Sequence, residues 1–175
     1  TYHRFEKTKQ SISSIIESVD ISNQDVMLYI VDNDSPKEMK EWLWAQSSEN
    51  VVVELLNQNI GKGDAINNSF YKTRESDYII SIDSDIVNKR HINWIDMFVD
   101  VMEQDNEWGV IACDFQDGDG LNIHVKNDLR YSKKVANYNI KYGGLGIGGC
   151  ALIMRSIDFR TLDGYNNGDI FTGHD

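Results

Sequence analysis

Pairs of aspartates separated by one residue are the features of this sequence best suited to chemistry. The pairs are Asp32/Asp34, Asp83/Asp85 and Asp117/Asp119. Two carboxylates held this close repel each other, and a hard divalent cation relieves the repulsion because it prefers oxygen ligands. Mg²⁺ or Mn²⁺ bound in this way keeps coordination positions open for phosphate oxygens. Such a pair therefore predicts a cation that holds a diphosphate.

The sequence around each pair indicates how it is used. Asp83 and Asp85 follow the apolar run 78–82, and we predict that they bind the metal ion. The alternative for these two residues is a strand-end turn that caps the next helix. Asp117 and Asp119 alternate with glycines, which is typical of a solvated turn.

Asp32 and Asn33 close a second apolar run, 26–31. Their side chains can hydrogen-bond a nucleobase edge or a ribose hydroxyl. The alternative is an Asx turn formed with Ser35 and Pro36. The sequence leaves both interpretations open.

A glycine-containing segment, 59–67, lies between a predicted strand and a predicted helix. Gly61 and Gly63 would let backbone N–H groups approach an anion at the start of that helix. Lys62 adds a positive charge suited to a diphosphate. The segment does not match the G-x-x-x-x-G-K-[ST] pattern, so it is not a P-loop.

Strands and helices alternate over the first two thirds of the chain. Apolar runs predict strands at 26–31, 51–56, 78–82 and 108–113, and helical periodicity predicts helices at 5–19, 37–46, 64–74 and 92–104. Apolar strands separated by helices indicate an α/β fold with a largely parallel sheet covered on both faces. Ligands bind beyond the carboxyl ends of such strands, where the turns 32–35 and 83–85 lie.

The last third of the chain differs in character. Residues 114–146 predict a long irregular segment with a short hairpin, followed by a strand at 147–155 and a helix at 156–162. Long irregular segments are often functional. We therefore consider Tyr131, Tyr138 and Tyr142 as candidates for contact with a bound ligand. The tryptophans are predicted to pack in the core instead, and they are Trp42, Trp44, Trp94 and Trp108.

Composition excludes several classes of function. The net charge of −11, from 28 acidic and 17 basic residues, argues against a nucleic-acid partner. No apolar run approaches the roughly 20 residues of a membrane span. Cys113 and Cys150 lie in apolar runs and are predicted to be buried thiols outside any disulfide, which indicates a reducing, cytoplasmic location. Peripheral association of the full-length protein with a membrane is compatible with these features.

Six segments in order resemble the motifs of glycosyltransferase family 2, a large group of nucleotide-sugar transferases with the GT-A fold. They are Thr1–Arg4, Asp32–Ser35, Asn59–Asn67, Ile82–Asp85, Gly148–Arg155, and Leu162–Tyr165 continued by Phe171–Asp175. The resemblance implies one GT-A domain over residues 1–175. The family's first strand would precede Thr1, so we expect this chain to be a fragment of a larger protein.

The resemblance also implies roles on the donor side of the site. Thr1 and Tyr2 would line the base and ribose pocket together with Asp32 and Asn33. Asn33 stands where many members have a second aspartate, which makes a preference for uridine less secure. The donor would be a nucleoside-diphosphate sugar, with UDP as the expected nucleotide.

Further implied roles concern the diphosphate and the acceptor. Gly61 and Lys62 would lie near the diphosphate, Asp83 would contact the ribose or the metal, and Asp85 would ligate Mn²⁺ or Mg²⁺. Asp175 matches the family's general base, which takes a proton from the acceptor hydroxyl during an inverting displacement. His174 replaces a common glutamate beside it, as an acceptor contact, a metal neighbour or a residue without a role in the site.

The predicted activity is metal-dependent transfer of the sugar to a hydroxyl group on a glycan, lipid or protein. Two alternatives remain. A sugar nucleotidyltransferase would usually carry a basic, glycine-rich loop after its first strand, and Tyr2–Phe5 does not supply one. A catalytically inactive GT-A-like binding module would share the donor site without the reaction.

Overall fold

The computed structural model describes residues 1–19, 25–72, 76–88, 94–104, 106–112, 131–135, 138–142 and 150–165. The helices are α1 (Phe5–Ser18), α2 (Lys37–Trp44), α3 (Lys62–Lys72), α4 (Trp94–Gln104) and α5 (Ser156–Thr161). The strands are β1 (Leu28–Asp32), β2 (Val51–Leu55), β3 (Tyr78–Ile82), β4 (Val110–Ala112), β5 (Tyr131–Val135), β6 (Tyr138–Tyr142) and β7 (Ala151–Arg155). Each predicted element is present, with ends shifted by a few residues.

The helices follow the spacing of their apolar residues. Helix α2 begins directly after Pro36, whose fixed φ suits a helix start, and it buries Met39 and Leu43 one turn apart. Helix α4 buries Phe98, Val101 and Met102 on one face in the same way. Burial of such apolar faces stabilises short helices that would be marginal in isolation.

Strands β1 and β2 form a parallel pair in which Leu28 lies opposite Val51 and Asp32 opposite Leu55. Thr1 lies along the other edge of β1, at its carboxyl end. There the Thr1 amino nitrogen donates to the Val31 carbonyl, and Asn33 N–H donates to the Thr1 carbonyl over 2.9 Å. The first residue of the chain is thereby fixed beside the turn that follows β1.

The second sheet corrects the prediction of a largely parallel arrangement. Its order is β3–β7–β4, and β7 runs antiparallel to both neighbours. Strands β3 and β4 run in the same direction, as their alternation with helices predicts. However, β7 arrives from the last third of the chain and lies between them, so the only parallel pairing among the described residues is β1–β2.

The predicted hairpin in the irregular segment is confirmed. Strands β5 and β6 pair antiparallel, with Val135 opposite Tyr138 and Tyr131 opposite Tyr142. Val135 is buried in the cluster formed by α4, β4 and β7, and Tyr138 packs against that same cluster. Tyr138 therefore contributes to the core, and the side chains of Tyr131 and Tyr142 lie outside the described part of the structure.

Two apolar clusters support the strands. One is built on α1, α2, β1 and β2, and the other on α4, β4, β5 and β7. Trp94 packs against both clusters, and Trp42 and Trp108 each pack against one, as predicted. The prediction is wrong for Trp44, which is 61% exposed because it lies at the last residue of α2.

Candidate functional site

The turn after β1 is held by hydrogen bonds to a fully buried carboxylate. Asp32 is 0% exposed. Its Oδ1 accepts a hydrogen bond from the Thr1 hydroxyl over 2.9 Å, and its Oδ2 accepts one from Ser35 N–H, also over 2.9 Å. The bond to Ser35 N–H, three residues on, closes the turn locally, at one of the residues of the turn alternative that the sequence left open. In this arrangement Asp32 fixes Thr1 and the turn, and it presents no surface to solvent.

Asn33 joins this turn to the glycine-containing segment. Its Nδ2 donates to Asn59 Oδ1 over 2.7 Å, and its Oδ1 accepts from Ile60 N–H over 2.8 Å. Asn59 Oδ1 also accepts from Gly61 N–H over 2.9 Å. Both ends of the Asn33 amide are thus used in binding the start of the segment that leads into α3.

Gly61 adopts a φ of +85°, a left-handed conformation that favours glycine. An added Cβ would meet no atom within 4 Å, so the open space beside Gly61 remains accessible. Helix α3 begins at the next residue, Lys62, two residues earlier than predicted. The sequence therefore places a helix amino terminus, with its partial positive charge, at this point.

The turn after β3 is held by ion pairs. Asp83 bonds to Lys62 from α3, and Asp85 accepts a hydrogen bond from Arg4 Nη1 over 2.7 Å. The side chains of Asp83 and Asp85 are 34% and 30% exposed. Asp83 N–H also donates to the Cys150 carbonyl over 2.8 Å, which fixes the turn to the start of β7.

These contacts bring most of the residues that were predicted to bind the nucleotide-sugar donor to one end of the molecule. The Lys62–Asp83 pair links α3 to the end of β3, and the Asn33 bonds link the same segment to the end of β1. The Thr1 amino group also interacts electrostatically with both Asp32 and Asp83. The carboxyl ends of β1 and β3 therefore face a shared region, although they belong to different sheets.

Tyr2 and Asp34 occupy the rim of this region. Tyr2 is exposed, and its ring lies edge-on to His3 with ring centroids 4.0 Å apart. Asp34 has a φ of +70° and accepts a hydrogen bond from Lys40 Nζ over 2.8 Å. The Asp34 carboxylate, the second of the Asp32/Asp34 pair, is thus bonded to Lys40.

Asp83 and Asp85 are suited to a divalent cation whose remaining coordination positions are filled by phosphate oxygens and water. No cluster of three or more acidic, histidine or cysteine side chains able to hold a metal occurs within the described ranges. Asp83 and Asp85 can offer two carboxylates, which are partly exposed. Mg²⁺ commonly binds through one or two carboxylates together with substrate phosphates and water. An arriving cation would have to displace Lys62 and Arg4 from these oxygens.

Sequence reasoning gave Arg4 no individual role, because its partner Asp85 is 81 residues away and no local pattern connects them. Arg155 belongs to a segment that resembles the family's acceptor-side strand. In the structure its guanidinium donates to the Trp108 carbonyl over 2.8 Å and to the Met102 carbonyl near the end of α4. Arg155 therefore holds α4 and the entry to β4 together.

The buried-thiol prediction is confirmed for Cys150, which is buried, and this burial raises the pKa of its thiol. Several other predictions fall on residues outside the described ranges. These residues are Cys113, Asp117, Asp119, Gly148, Gly149, His174 and Asp175. The part of the chain that the structure describes contains no helix long and apolar enough to cross a membrane.

The fold and this polar region define an α/β protein with a helix amino terminus and paired carboxylates at the ends of its strands. The family model for glycosyl transferase family 2 matches residues 1–160. The chain therefore belongs to glycosyl transferase family 2, and it is a glycosyltransferase with an α/β fold of the GT-A type. No curated protein matches it at a significant level.

Proposed function

We propose that the protein transfers a sugar from a nucleoside-diphosphate sugar, with UDP as the nucleotide, to a hydroxyl on a glycan, lipid or protein. The reaction is metal-dependent and inverts the anomeric centre. The observation that carries this proposal is the Lys62–Asp83 contact, which joins the start of α3 to the end of β3. It groups a cation, a helix amino terminus and paired carboxylates in one region.

Each part of this region suits one part of the donor. Lys62 and the N–H groups at the start of α3 are suited to the diphosphate, since helix amino termini favour anions. The open space beside Gly61 allows close approach. Exposed Tyr2 is suited to the base and ribose. Buried Asp32 and Asn33, whose polar atoms bond to Thr1, Asn59 and Ile60, would support this pocket without contacting the nucleoside.

Asp83 and Asp85 would hold Mn²⁺ or Mg²⁺, which when bound stabilises the negative charge that develops on the leaving diphosphate. On the acceptor side, the family resemblance assigns the general base to Asp175. Removal of the proton from the acceptor hydroxyl by this carboxylate would accompany direct displacement. The buried thiol of Cys150 fits a reducing location, and we assign the domain to the cytoplasm.

A thermal-shift experiment tests the donor and metal assignments together. A ligand that binds only the folded state raises the melting temperature. UDP with Mn²⁺ should stabilise the wild type more than UDP alone. Asp85→Ala should abolish the difference, because one of the two carboxylate ligands is lost.

Asp34→Ala is the matched control, since Asp34 belongs to a different aspartate pair, Asp32/Asp34, and bonds to Lys40. This variant should keep the metal-dependent increment. An undiminished increment in Asp85→Ala would remove Asp85 from the metal site.

Two assays separate the proposal from its alternatives. Glycosyl transfer or donor hydrolysis by the full-length protein distinguishes an enzyme from an inactive binding module. Release of pyrophosphate from a nucleoside triphosphate and a sugar phosphate would instead indicate a nucleotidyltransferase. We expect sugar transfer and no pyrophosphate release.

A further inference from the structure

Two cations from different helices converge on the aspartate pair after β3. Arg4 directly precedes α1 and bonds to Asp85, whereas Lys62 is the first residue of α3 and bonds to Asp83. The proposed function places Lys62 at the diphosphate and leaves Arg4 without a role. However, Arg4 Nη1 lies 2.7 Å from Asp85 Oδ2. The guanidinium is therefore bonded to an oxygen that is proposed to bind the metal ion.

The position of Arg4 opposes the ordinary preferences of a helix start. Arg4 is the N-cap residue of α1. Serine, threonine, aspartate and asparagine are favoured at this position because their side chains accept hydrogen bonds from the first N–H groups of the helix. A guanidinium has no acceptor, and its charge meets the positive end of the helix dipole. Such a local conflict is typical of functional sites, and Asp85 supplies the compensating negative charge.

The turn that carries Asp85 has anchors other than Arg4. At one end, Asp83 N–H donates to the carbonyl of the residue before β7 over 2.8 Å. At the other end, Asn88 N–H donates to Ser14 Oγ over 3.1 Å, and Ser14 is buried on α1. The Arg4 side chain is instead 56% exposed. It can therefore leave Asp85 while the turn stays in place.

We propose that Arg4 exchanges the Asp85 carboxylate for the diphosphate of the donor when the metal ion binds, an assignment that rests on the function proposed above. A cation on Asp85 displaces the guanidinium, and the phosphate oxygens that complete the coordination of that cation arrive beside Arg4. A planar guanidinium donates two parallel hydrogen bonds to a phosphate, which suits arginine to this contact. The diphosphate then replaces Asp85 as the negative charge at the start of α1.

This exchange makes the binding of the metal ion and of the diphosphate mutually dependent. Without a diphosphate, Arg4 competes with the cation for Asp85. With a diphosphate, Arg4 binds the anion and helps to retain the cation that is bound to it. The effect of Arg4 on metal affinity therefore reverses its sign when a diphosphate is added. By linkage, the metal ion changes diphosphate affinity by the same factor as the diphosphate changes metal affinity.

Binding of Mn²⁺ to the full-length protein, measured by equilibrium dialysis without and with UDP, tests this reversal. Without UDP, Arg4→Gln should bind Mn²⁺ about 3-fold more tightly than the wild type, because an exposed ion pair no longer competes. At saturating UDP, it should bind Mn²⁺ about 3-fold more weakly, because loss of a charge-assisted hydrogen bond to the diphosphate, about 10-fold in affinity, outweighs that gain.

Two further variants control for charge and for the shape of the side chain. Arg160→Gln makes the same change in net charge at an exposed residue of α5, where the guanidinium lies over the Phe70 ring. It should match the wild type in both conditions. Arg4→Lys keeps the charge and loses the two-donor fork. It should resemble the wild type without UDP and fall between the wild type and Arg4→Gln with UDP.

Other results contradict the exchange in distinct ways. Tighter Mn²⁺ binding by Arg4→Gln in both conditions would mean that Arg4 only competes with the cation. Weaker binding in both would mean that Arg4 only supports the turn, and unchanged binding in both would remove Arg4 from the site. If the wild type binds no Mn²⁺ even with UDP, the proposed metal-dependent function fails and the assignment fails with it. Any of the first three results with normal wild-type binding removes the assignment alone.

Discussion

The turns after β1 and β3 carry the two aspartate pairs of the site, yet they are held in opposite ways. After β1, Asp32 is fully buried, and its oxygens accept hydrogen bonds from Thr1 and Ser35. After β3, Asp83 and Asp85 are about one third exposed, at 34% and 30%, and bond to the long side chains of Lys62 and Arg4. The turn after β1 is fixed by hydrogen bonds to a buried carboxylate. The turn after β3 is held by partly exposed ion pairs, whose cationic partners can be exchanged.

This difference suits the two halves of the proposed donor site. A buried carboxylate stabilises the folded state by satisfying its hydrogen-bond donors. Each buried group left without a partner lowers the free energy of unfolding by about 1–3 kcal/mol. An exposed ion pair contributes about 0–1 kcal/mol, so its partners can be exchanged at little expense. A rigid turn would preorganise the proposed base pocket, whereas exchangeable pairs would leave the carboxylates available to the proposed cation.

The largest effect on stability is expected at the buried carboxylate. Asp32→Ala should lower the free energy of unfolding by about 3 kcal/mol, because the Thr1 hydroxyl and Ser35 N–H both lose their partner. Urea denaturation measures the change. Asp34→Asn removes the partly exposed ion pair with Lys40 and keeps a residue type that tolerates the φ of +70°, so it should lose less than about 1 kcal/mol. Equal losses in the two variants would contradict the contrast between buried and exposed aspartates.

The positions of the two strand ends and of the turn before α3 could be predicted from the sequence. Apolar runs ending in Asp32 and Asp83 identify both strand ends, since a buried strand and a polar turn leave separate local signals. The glycine at Gly61 likewise predicts a turn before α3. Periodicity also located α1 and α4, because burial of an apolar face follows directly from residue spacing.

Long-range pairing was not predictable in the same way. Strand β7 lies between β3 and β4, although it comes from the last third of the chain. The Arg4–Asp85 pair and the Asn67–Tyr165 bonds join residues 81 and 98 positions apart. No local pattern encodes such contacts. Trp44 shows a further limit, since its residue type favours burial while its place at the end of α2 exposes it.

A smaller effect is expected for the cation beside Asp85. Arg4→Ala should change the free energy of unfolding by less than about 1 kcal/mol, because both partners are solvent-accessible. Arg155→Ala is an informative comparison, since that guanidinium donates to backbone carbonyls at α4 and β4 and should contribute about 2 kcal/mol. Urea denaturation of both variants tests the ranking. A larger loss for Arg4→Ala would mean that the turn after β3 is as rigid as the turn after β1.

The smallest effect concerns alkaline pH and the β3 side of the molecule. Burial raises the pKa of the Cys150 thiol above its ordinary value of 9.0, and burial together with the Glu103 hydrogen bond raises the pKa of the Tyr78 phenol above 10.0. Both groups bind a proton more tightly in the folded state, so their contribution is complete below pH 9 and is lost as the pH rises further. Cys150→Ser and Tyr78→Phe should each flatten the decline in unfolding free energy above that pH. An identical decline in the wild type and in both variants would show that neither group is coupled to folding.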